Sequence, residues 1–284
     1  MRLGMNLLLW TTYLTREQFG LLKSIKQAGF DGVEILLNVG NPDNYKEVKT
    51  CLGDLGLEVT TIAVLDAAAN PISSDSSVRQ EALDQLRWAV DISTELGSEV
   101  LGGPFHSTHR AFSGMPPSDE ELTWCAEVLG AVARHAGQNG VTLAVESLNR
   151  FECYLLTTVE QALQLVRRVG DSALGILYDT HHAHIEEKDI SLAIRRAGSD
   201  IKHVHVSENH RGAPGDGLVD WKTTFRALQD IRYDGWMVIE AFSQLTPEWA
   251  PALRVWRNFA ASPEEVYEGG SRFIREMWEQ CSAT

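Results

Sequence analysis

One pattern constrains the fold more than any other feature of this chain. A short apolar segment rich in Val, Ile and Leu, followed by a segment with helical periodicity, recurs eight times. The predicted strands are residues 3–10, 31–37, 57–64, 99–105, 141–147, 174–180, 201–207 and 236–242. Apolar strands that alternate with helices are typical of a parallel sheet covered on both faces. Eight such units in 284 residues predict an α/β fold, the (β/α)8 TIM barrel.

Helix boundaries support this alternation. Thr15 with Gln18 three residues later forms the pattern of a capping box, and Gly29 ends the helix that follows. Thr157 with Glu160 predicts a similar start for the helix after the fifth strand. Three further segments have the spacing of amphipathic helices: residues 75–96, 117–138 and 264–279.

An open doubly wound sheet is the competing fold. It requires a glycine-rich phosphate-binding turn after the first strand, whereas this chain has Trp10-Thr11-Thr12-Tyr13 there. No linker or low-complexity stretch divides the chain. We therefore expect a single barrel domain that spans residues 1–284.

Composition excludes several classes of partner. The formal net charge of −14 disfavours binding to nucleic acid or to an anionic membrane surface. No run of about 18 apolar residues predicts a membrane span, and the first ten residues lack a signal-peptide cleavage site. The four cysteines, widely spaced without a CxxC pair, favour a reducing cytoplasm over a disulfide or zinc framework.

Four ionisable residues end four consecutive predicted strands. They are Glu146, Asp179, His205 and Glu240, separated by 33, 26 and 35 residues. Catalytic groups of a TIM barrel lie at the carboxyl ends of its strands, so these side chains are predicted to meet at one rim. His203 has the same inward parity as His205, and strand geometry alone leaves the choice between them open; His205 is preferred because it lies nearer the rim.

Three carboxylates that converge on a rim repel one another unless a cation lies between them. Taken singly, each of these residues is equally compatible with a solvated or helix-paired charge. Together they predict a site for one divalent cation per subunit, and three oxygen ligands with one imidazole suit Mn²⁺, Co²⁺ or Mg²⁺ better than a structural zinc. Mn²⁺ is the preferred ion.

Five segments carry a resemblance to a known family. They are Gly29–Ile35, Val145–Glu152, Asp179–Glu187, His203–Arg211 and Ile239–Phe242. The chain resembles the ketose 3-epimerases of the xylose isomerase-like barrels, which include the tagatose, psicose (allulose) and ribulose 3-epimerases. The resemblance covers essentially the whole chain and is strongest between residues 140 and 242.

The resemblance implies a site and an activity. It implies the same four metal ligands, and it assigns Glu152, His182 and Arg211 to the O1–O2 end of a ketose substrate. Inversion at C3 requires proton transfer on both faces of the carbon, which Glu146 and Glu240 are placed to perform. A divalent cation would stabilise the ene-diolate. Family members are homodimers or homotetramers, so a homo-oligomer is expected.

Several alternatives remain at this point. A ketose phosphate is a possible substrate, although the glycine-rich segment Arg211–Gly217 contains Asp216 and follows Glu208, which favours a neutral sugar. An aldose–ketose or hydroxypyruvate isomerase would use the same metal site. An apurinic endonuclease would need histidines in the early strands and a basic DNA-binding face. A sugar-binding protein without activity would not need all four ligands.

Overall fold

Eight parallel strands close into a barrel in chain order, because β1 pairs with both β2 and β8. The computed structural model describes residues 1–37, 40–245 and 250–282. Its strands are Arg2–Asn6 (β1), Gly32–Leu36 (β2), Glu58–Ile62 (β3), Val100–Gly103 (β4), Thr142–Glu146 (β5), Leu174–Asp179 (β6), Ile201–Val206 (β7) and Trp236–Ile239 (β8). The predicted (β/α)8 barrel is confirmed.

Helices surround the barrel and follow the strands. They are Phe19–Gln27 (α1), Pro42–Leu55 (α2), Ser76–Leu96 (α3), Asp119–Gln138 (α4), Val159–Val169 (α5), Thr180–Glu186 (α6), Ile190–Ala197 (α7), Trp221–Asp230 (α8) and Gly270–Ser282 (α9). Their apolar faces pack on the barrel in one extended core. Within the described residues, no helix has both the length and the apolar character that crossing a membrane requires.

One predicted capping box is confirmed and the other is wrong by one residue. Gln18 Oε1 accepts a hydrogen bond from the Thr15 backbone N–H at 2.8 Å and opens a 3₁₀ turn before α1. At α5 the box is formed by Thr158 and Gln161, and not by Thr157 and Glu160. The helix starts one residue later because the Thr158 side chain accepts the Gln161 N–H and Gln161 reaches back to the Thr158 N–H.

Predicted strands extend beyond the observed ones at the catalytic rim. β1 ends at Asn6, whose side chain accepts the Leu8 N–H at 2.8 Å and starts a 3₁₀ turn. β8 ends at Ile239, so Glu240 is the first residue after the strand. Segment 264–279 contains a π-helical turn, Glu265–Gly269, followed by α9.

Candidate metal centre and active site

The structure brings the four predicted ligands into one buried cluster. Glu146 ends β5, Asp179 ends β6, His205 lies in β7 and Glu240 follows β8. One candidate ligand atom from each residue lies within 4.8 Å of those of the other three. The barrel therefore produces this cluster by placing four strand ends side by side.

One imidazole nitrogen of this cluster has no hydrogen-bond partner among the described residues. His205 Nδ1 is buried and lies 3.8 Å from Glu146 Oε1, 3.8 Å from Asp179 Oδ2 and 3.5 Å from Glu240 Oε1. Asp179 caps α6 through Oδ1, which accepts the His181 N–H and leaves Oδ2 for the cluster. An unpartnered imidazole nitrogen facing three carboxylate oxygens fits a hard or borderline divalent cation.

Charge repulsion within the cluster appears in the pKa values. Burial and the neighbouring Glu240 and Asp179 raise the pKa of Glu146 well above its usual value. Burial and Glu240 also raise the pKa of Asp179. Burial would raise the pKa of Glu240 too, but His205 and Arg211 outweigh it and lower that pKa to about 2. A divalent cation bound here would oppose the rise in the pKa values of Glu146 and Asp179, because it stabilises ionised carboxylates.

Arg211 supplies positive charge to the same oxygens. Its backbone adopts a left-handed conformation, with φ of 63°. Its Nη1 donates to Asp179 Oδ2 at 2.8 Å and to Glu240 Oε2 at 2.6 Å. The guanidinium also lies over the Phe242 ring. Arg211 therefore contacts the candidate metal ligands as well as the cavity beside them.

His182 presents a ring proton to the cavity. The Asn149 backbone N–H donates to His182 Nδ1 at 3.0 Å, so the proton of the neutral ring lies on Nε2. Burial and the Arg211 charge hold the pKa of His182 well below its usual value. Nε2 lies 2.8 Å from Arg211 Nη2, so two hydrogen-bond donors converge where an acceptor oxygen would satisfy both.

Glu152 is held as an ionised acceptor. Its carboxylate accepts hydrogen bonds from His109 Nε2 at 3.0 Å and from Asn149 Nδ2 at 2.9 Å. Burial would raise its pKa, but His109, His182 and Arg211 together hold that pKa far below its usual value. Asn149 and His109 were not predicted from the sequence, and Asn149 links Glu152 to His182.

These side chains line a cavity at the carboxyl end of the barrel. Its polar wall is formed by Glu146, Glu152, His182, Arg211 and Glu240. Its other wall is apolar and includes Leu8, Ile62, Val64, Phe242 and Leu253. The cavity thus offers a small molecule both hydrogen-bonding groups and apolar contacts.

Glu34 is a site residue that the sequence analysis missed. It lies on β2, is fully buried, and hydrogen-bonds both His203 Nε2 at 2.7 Å and His205 Nε2 at 2.8 Å. Within the described residues, His205 lies in the four-residue cluster, whereas His203 pairs with Glu34. The available signal was a single acidic residue inside an apolar strand, since a buried charge requires a partner.

In the loop after β7, two backbone N–H groups are hydrogen-bonded to a carboxylate of the chain itself. The buried Glu208 carboxylate accepts the N–H groups of Gly215 and Val219 at 2.9 and 3.1 Å, and Trp221 Nε1 at 3.1 Å. A phosphate-binding loop needs such N–H groups to be available. Here the Glu208 carboxylate accepts two of these N–H groups, which are therefore not available to a phosphate.

Comparison with known proteins agrees with this geometry. Residues 22–277 match the family model described as the xylose isomerase-like TIM barrel. A ketose 3-epimerase from Arthrobacter globiformis is 33% identical over 280 residues, covering 97% of this chain and 96% of the relative. A probable ketose 3-epimerase from Synechocystis is 31% identical, covering 98% and 97%.

Solved structures give the same result. An L-ribulose 3-epimerase structure superposes with a TM-score of 0.94 at 28% identity, covering 99% of this chain and 96% of that one. A D-allulose 3-epimerase from Methylomonas superposes with a TM-score of 0.92 at 26% identity, covering 98% of both chains. The chain belongs to the xylose isomerase-like TIM barrel family, and within it to the ketose 3-epimerases.

Proposed function

We propose that this protein is a metal-dependent 3-epimerase of free ketoses such as L-ribulose, D-fructose and D-allulose, or D-tagatose. The observation that carries the proposal is the pair Glu146 and Glu240, which line the same cavity and lie 3.8 and 3.5 Å from His205 Nδ1. Relatives named ketose 3-epimerases over nearly the whole chain support the same activity.

Glu146, Asp179, His205 and Glu240 would hold the cation, which would polarise the ketose carbonyl and stabilise negative charge on the substrate oxygens. Glu146 and Glu240 exchange protons with C3, one on each face of the carbon. Their pKa values are pushed in opposite directions, which suits a pair in which one group donates a proton and the other accepts one.

The polar wall would orient the sugar. The two converging donors, His182 Nε2–H and Arg211 Nη2–H, are placed to hold a carbonyl or hydroxyl oxygen at the O1–O2 end. Glu152, an ionised acceptor, is placed to take a hydrogen bond from a neighbouring hydroxyl. The apolar wall would face the far end of the sugar, which therefore contributes less to orientation.

The remaining parts of the proposal concern the ion and the setting. Three oxygen ligands with one imidazole support Mn²⁺, with Co²⁺ or Mg²⁺ as substitutes. We further propose that residues 1–284 form one domain, which assembles as a homodimer or homotetramer in the cytoplasm. The sequence resemblance supports the assembly, and the cysteine pattern supports the compartment.

The test is a metal-dependent product assay. After exhaustive dialysis against EDTA, the protein is supplied with Mn²⁺, Co²⁺ or Mg²⁺ and a panel of free ketoses, and products are separated by chromatography. We expect C3 epimers to form only with added metal. Asp179→Asn should lose metal and activity, whereas Asp230→Asn, which alters a surface pair with Arg195, should keep both.

Two results would contradict the proposal. Full activity without detectable metal would remove the metal from the reaction. Formation of an aldose in place of a C3 epimer would identify an aldose–ketose isomerase on the same site.

A second candidate, 3-epimerisation of a ketose phosphate, is favoured by one observation. Arg110, Arg254 and Arg257 line a cavity at the barrel mouth that shares Glu152 and Arg211 with the first. Arg110 Nε is buried without a hydrogen-bond partner among the described residues. Burial and the nearby Arg254 lower the pKa of Arg110, as expected where like charges lie close together.

This second candidate has a direct test. If the arginines bind a phosphate, kcat/KM for L-ribulose 5-phosphate should exceed that for L-ribulose, and Arg254→Gln with Arg257→Gln should abolish the difference. A higher kcat/KM for the free sugar, unaffected by the double substitution, would reject the phosphate.

A further inference from the structure

A buried carboxylate lies behind the candidate metal centre. Glu34 Oε1 accepts hydrogen bonds from His205 Nε2 at 2.8 Å and from Asn6 Nδ2 at 3.0 Å. Glu34 Oε2 accepts from His203 Nε2 at 2.7 Å and from Thr60 Oγ1 at 2.9 Å. Each carboxylate oxygen of the fully buried Glu34 thus accepts two hydrogen bonds, and these four bonds fix the carboxylate in one orientation.

This arrangement determines which nitrogen of His205 is available as a ligand. Nε2 carries the proton that it donates to Glu34, so its lone pair is not available for coordination. Nδ1, on the other side of the ring, faces the oxygens of Glu146, Asp179 and Glu240. A rotated His205 would break a buried charge-assisted hydrogen bond, so the ring is held with Nδ1 toward the cluster.

We propose that Glu34 is the positioning residue of the metal centre: it selects Nδ1 of His205 as the ligand, fixes the plane of its ring and increases the basicity of the coordinating nitrogen. Hydrogen bonding of a ligand imidazole to a carboxylate has these three effects in metal sites. The inference rests on the proposed metal-dependent function. It adds to that function a residue that, within the described part of the chain, does not line the substrate cavity.

A competing interpretation is that Glu34, His203 and His205 themselves bind a second cation, because their candidate ligand atoms also lie close together. The contacts argue against it. The N···O distances of 2.7 and 2.8 Å are those of direct hydrogen bonds, and Asn6 and Thr60 already occupy the remaining acceptor positions of the carboxylate. The structure therefore assigns this group to support of the neighbouring centre.

The first experiment measures metal affinity. Glu34→Gln keeps the shape of the side chain but removes its charge and one of its two acceptor oxygens. The dissociation constant for Mn²⁺ should rise about 10- to 100-fold relative to the wild-type chain. Epimerase activity should be recovered as Mn²⁺ is raised, whereas damage that was merely structural would not respond to the metal concentration.

Thr60→Val is the matched control. It removes one buried hydrogen bond to the same carboxylate, but at the oxygen that faces His203 and not His205. It should lower the melting temperature in EDTA while leaving the Mn²⁺ dissociation constant within about threefold of wild type. Equal weakening of Mn²⁺ binding by both substitutions would overturn the inference, because any loss in the buried network would then suffice.

A second measurement uses the unaltered chain, so that it stands even if Glu34→Gln does not fold. In wild-type protein loaded with diamagnetic Zn²⁺, ¹⁵N NMR should show His205 protonated at Nε2 and without a proton at Nδ1. A proton at Nδ1 would overturn the assignment. Wild-type protein that binds no metal would refute the proposed function, whereas metal binding that is unchanged in Glu34→Gln would refute the role of Glu34 alone.

Discussion

Glu146 and Glu240 are the two groups proposed to move protons, so substitution of either one tests that role. Glu146→Gln and Glu240→Gln leave an amide oxygen for the cation but remove the group that exchanges a proton. Each variant should lose about 10²- to 10⁴-fold in kcat, the contribution of a positioned acid or base. Chromatography of the epimer measures the loss, and elemental analysis of bound Mn²⁺ is the control.

Isotope exchange shows which face each carboxylate serves. With one carboxylate intact, the variant should still remove the C3 proton on that face and return one from solvent, so substrate recovered from D₂O should gain deuterium without inversion. Near-normal epimerisation by either variant, with metal retained, would mean that the carboxylates are ligands only and that another residue moves the proton.

Arg211 contacts both the metal ligands and the cavity, so its substitution separates two roles. Arg211→Ala removes a donor to the substrate and should lower kcat/KM roughly 10- to 100-fold, the equivalent of a charge-assisted hydrogen bond. It also frees the oxygens of Asp179 and Glu240, so the Mn²⁺ dissociation constant should stay the same or fall. Loss of Mn²⁺ binding would show that Arg211 organises the metal centre and not the sugar.

Some side chains of the site could be predicted from the sequence and others could not. Glu146 and Glu240 are predictable because each ends an apolar strand, where parity and rim position follow from the strand itself. Glu34 was not predicted because its partners His203 and His205 lie 169 and 171 positions further along the chain. His182 stands beside another histidine, and only the family resemblance selected it.

The sequence predicted the number of strands correctly but overestimated the length of most of them. β1 and β8 are shorter than their apolar segments because the chain must turn at the rim, where side-chain hydrogen bonds such as that of Asn6 to the Leu8 N–H replace strand pairing. Apolar composition continues through such a turn, so hydropathy does not mark where the strand ends. The cap of α5 was also displaced, because two adjacent threonines precede the helix and the hydrogen bonds of Gln161 form the box with the second.

The corrected cap of α5 makes a quantitative prediction. Thr158→Ala removes the side-chain acceptor of the Gln161 N–H, which lies 3.3 Å from Thr158 Oγ1. Urea unfolding in EDTA should show a loss of about 1 kcal/mol, the usual cost of removing a helix N-cap. Thr157→Ala is the matched control and should cost less, because Thr157 Oγ1 donates to the Gln161 side chain at 3.1 Å, whereas Thr158 Oγ1 accepts the helix N–H. A larger loss of stability from Thr157→Ala than from Thr158→Ala would mean that Thr157, as predicted from the sequence, caps the helix.

At the scale of the whole molecule, barrel closure creates the site. Glu34 on β2 and His205 on β7 are three strands apart across the β1–β8 junction, so their side chains meet only inside a closed barrel. The same closure aligns the ends of β5 to β8, which carry the four candidate ligands. The fold therefore accounts both for the cluster at the rim and for the buried carboxylate behind it.

Burial of His106 also makes the stability of the protein depend on pH. This residue follows β4, is fully buried, and its ring is hydrogen-bonded to Ser107 Oγ at 2.9 Å. Burial and the nearby His109 lower the pKa of His106 from 6.5 to about 3. Between these values the unfolded chain protonates the ring and the folded chain does not, so the free energy of unfolding must fall as the pH falls.

This coupling yields the last prediction. Below pH 6.5 in EDTA, the wild-type chain should lose about 1.4 kcal/mol of stability per pH unit through His106 alone, in addition to losses from other groups. His106→Gln cannot take up that proton, so urea unfolding at pH 6, 5 and 4 should give a slope smaller by about this amount. At pH 7.5 the ring is neutral in both states, so the difference measured there is the structural cost of the substitution. Once that cost is subtracted, the two curves should diverge progressively toward acid in favour of the variant; parallel curves would mean that the folded protein accommodates a protonated His106.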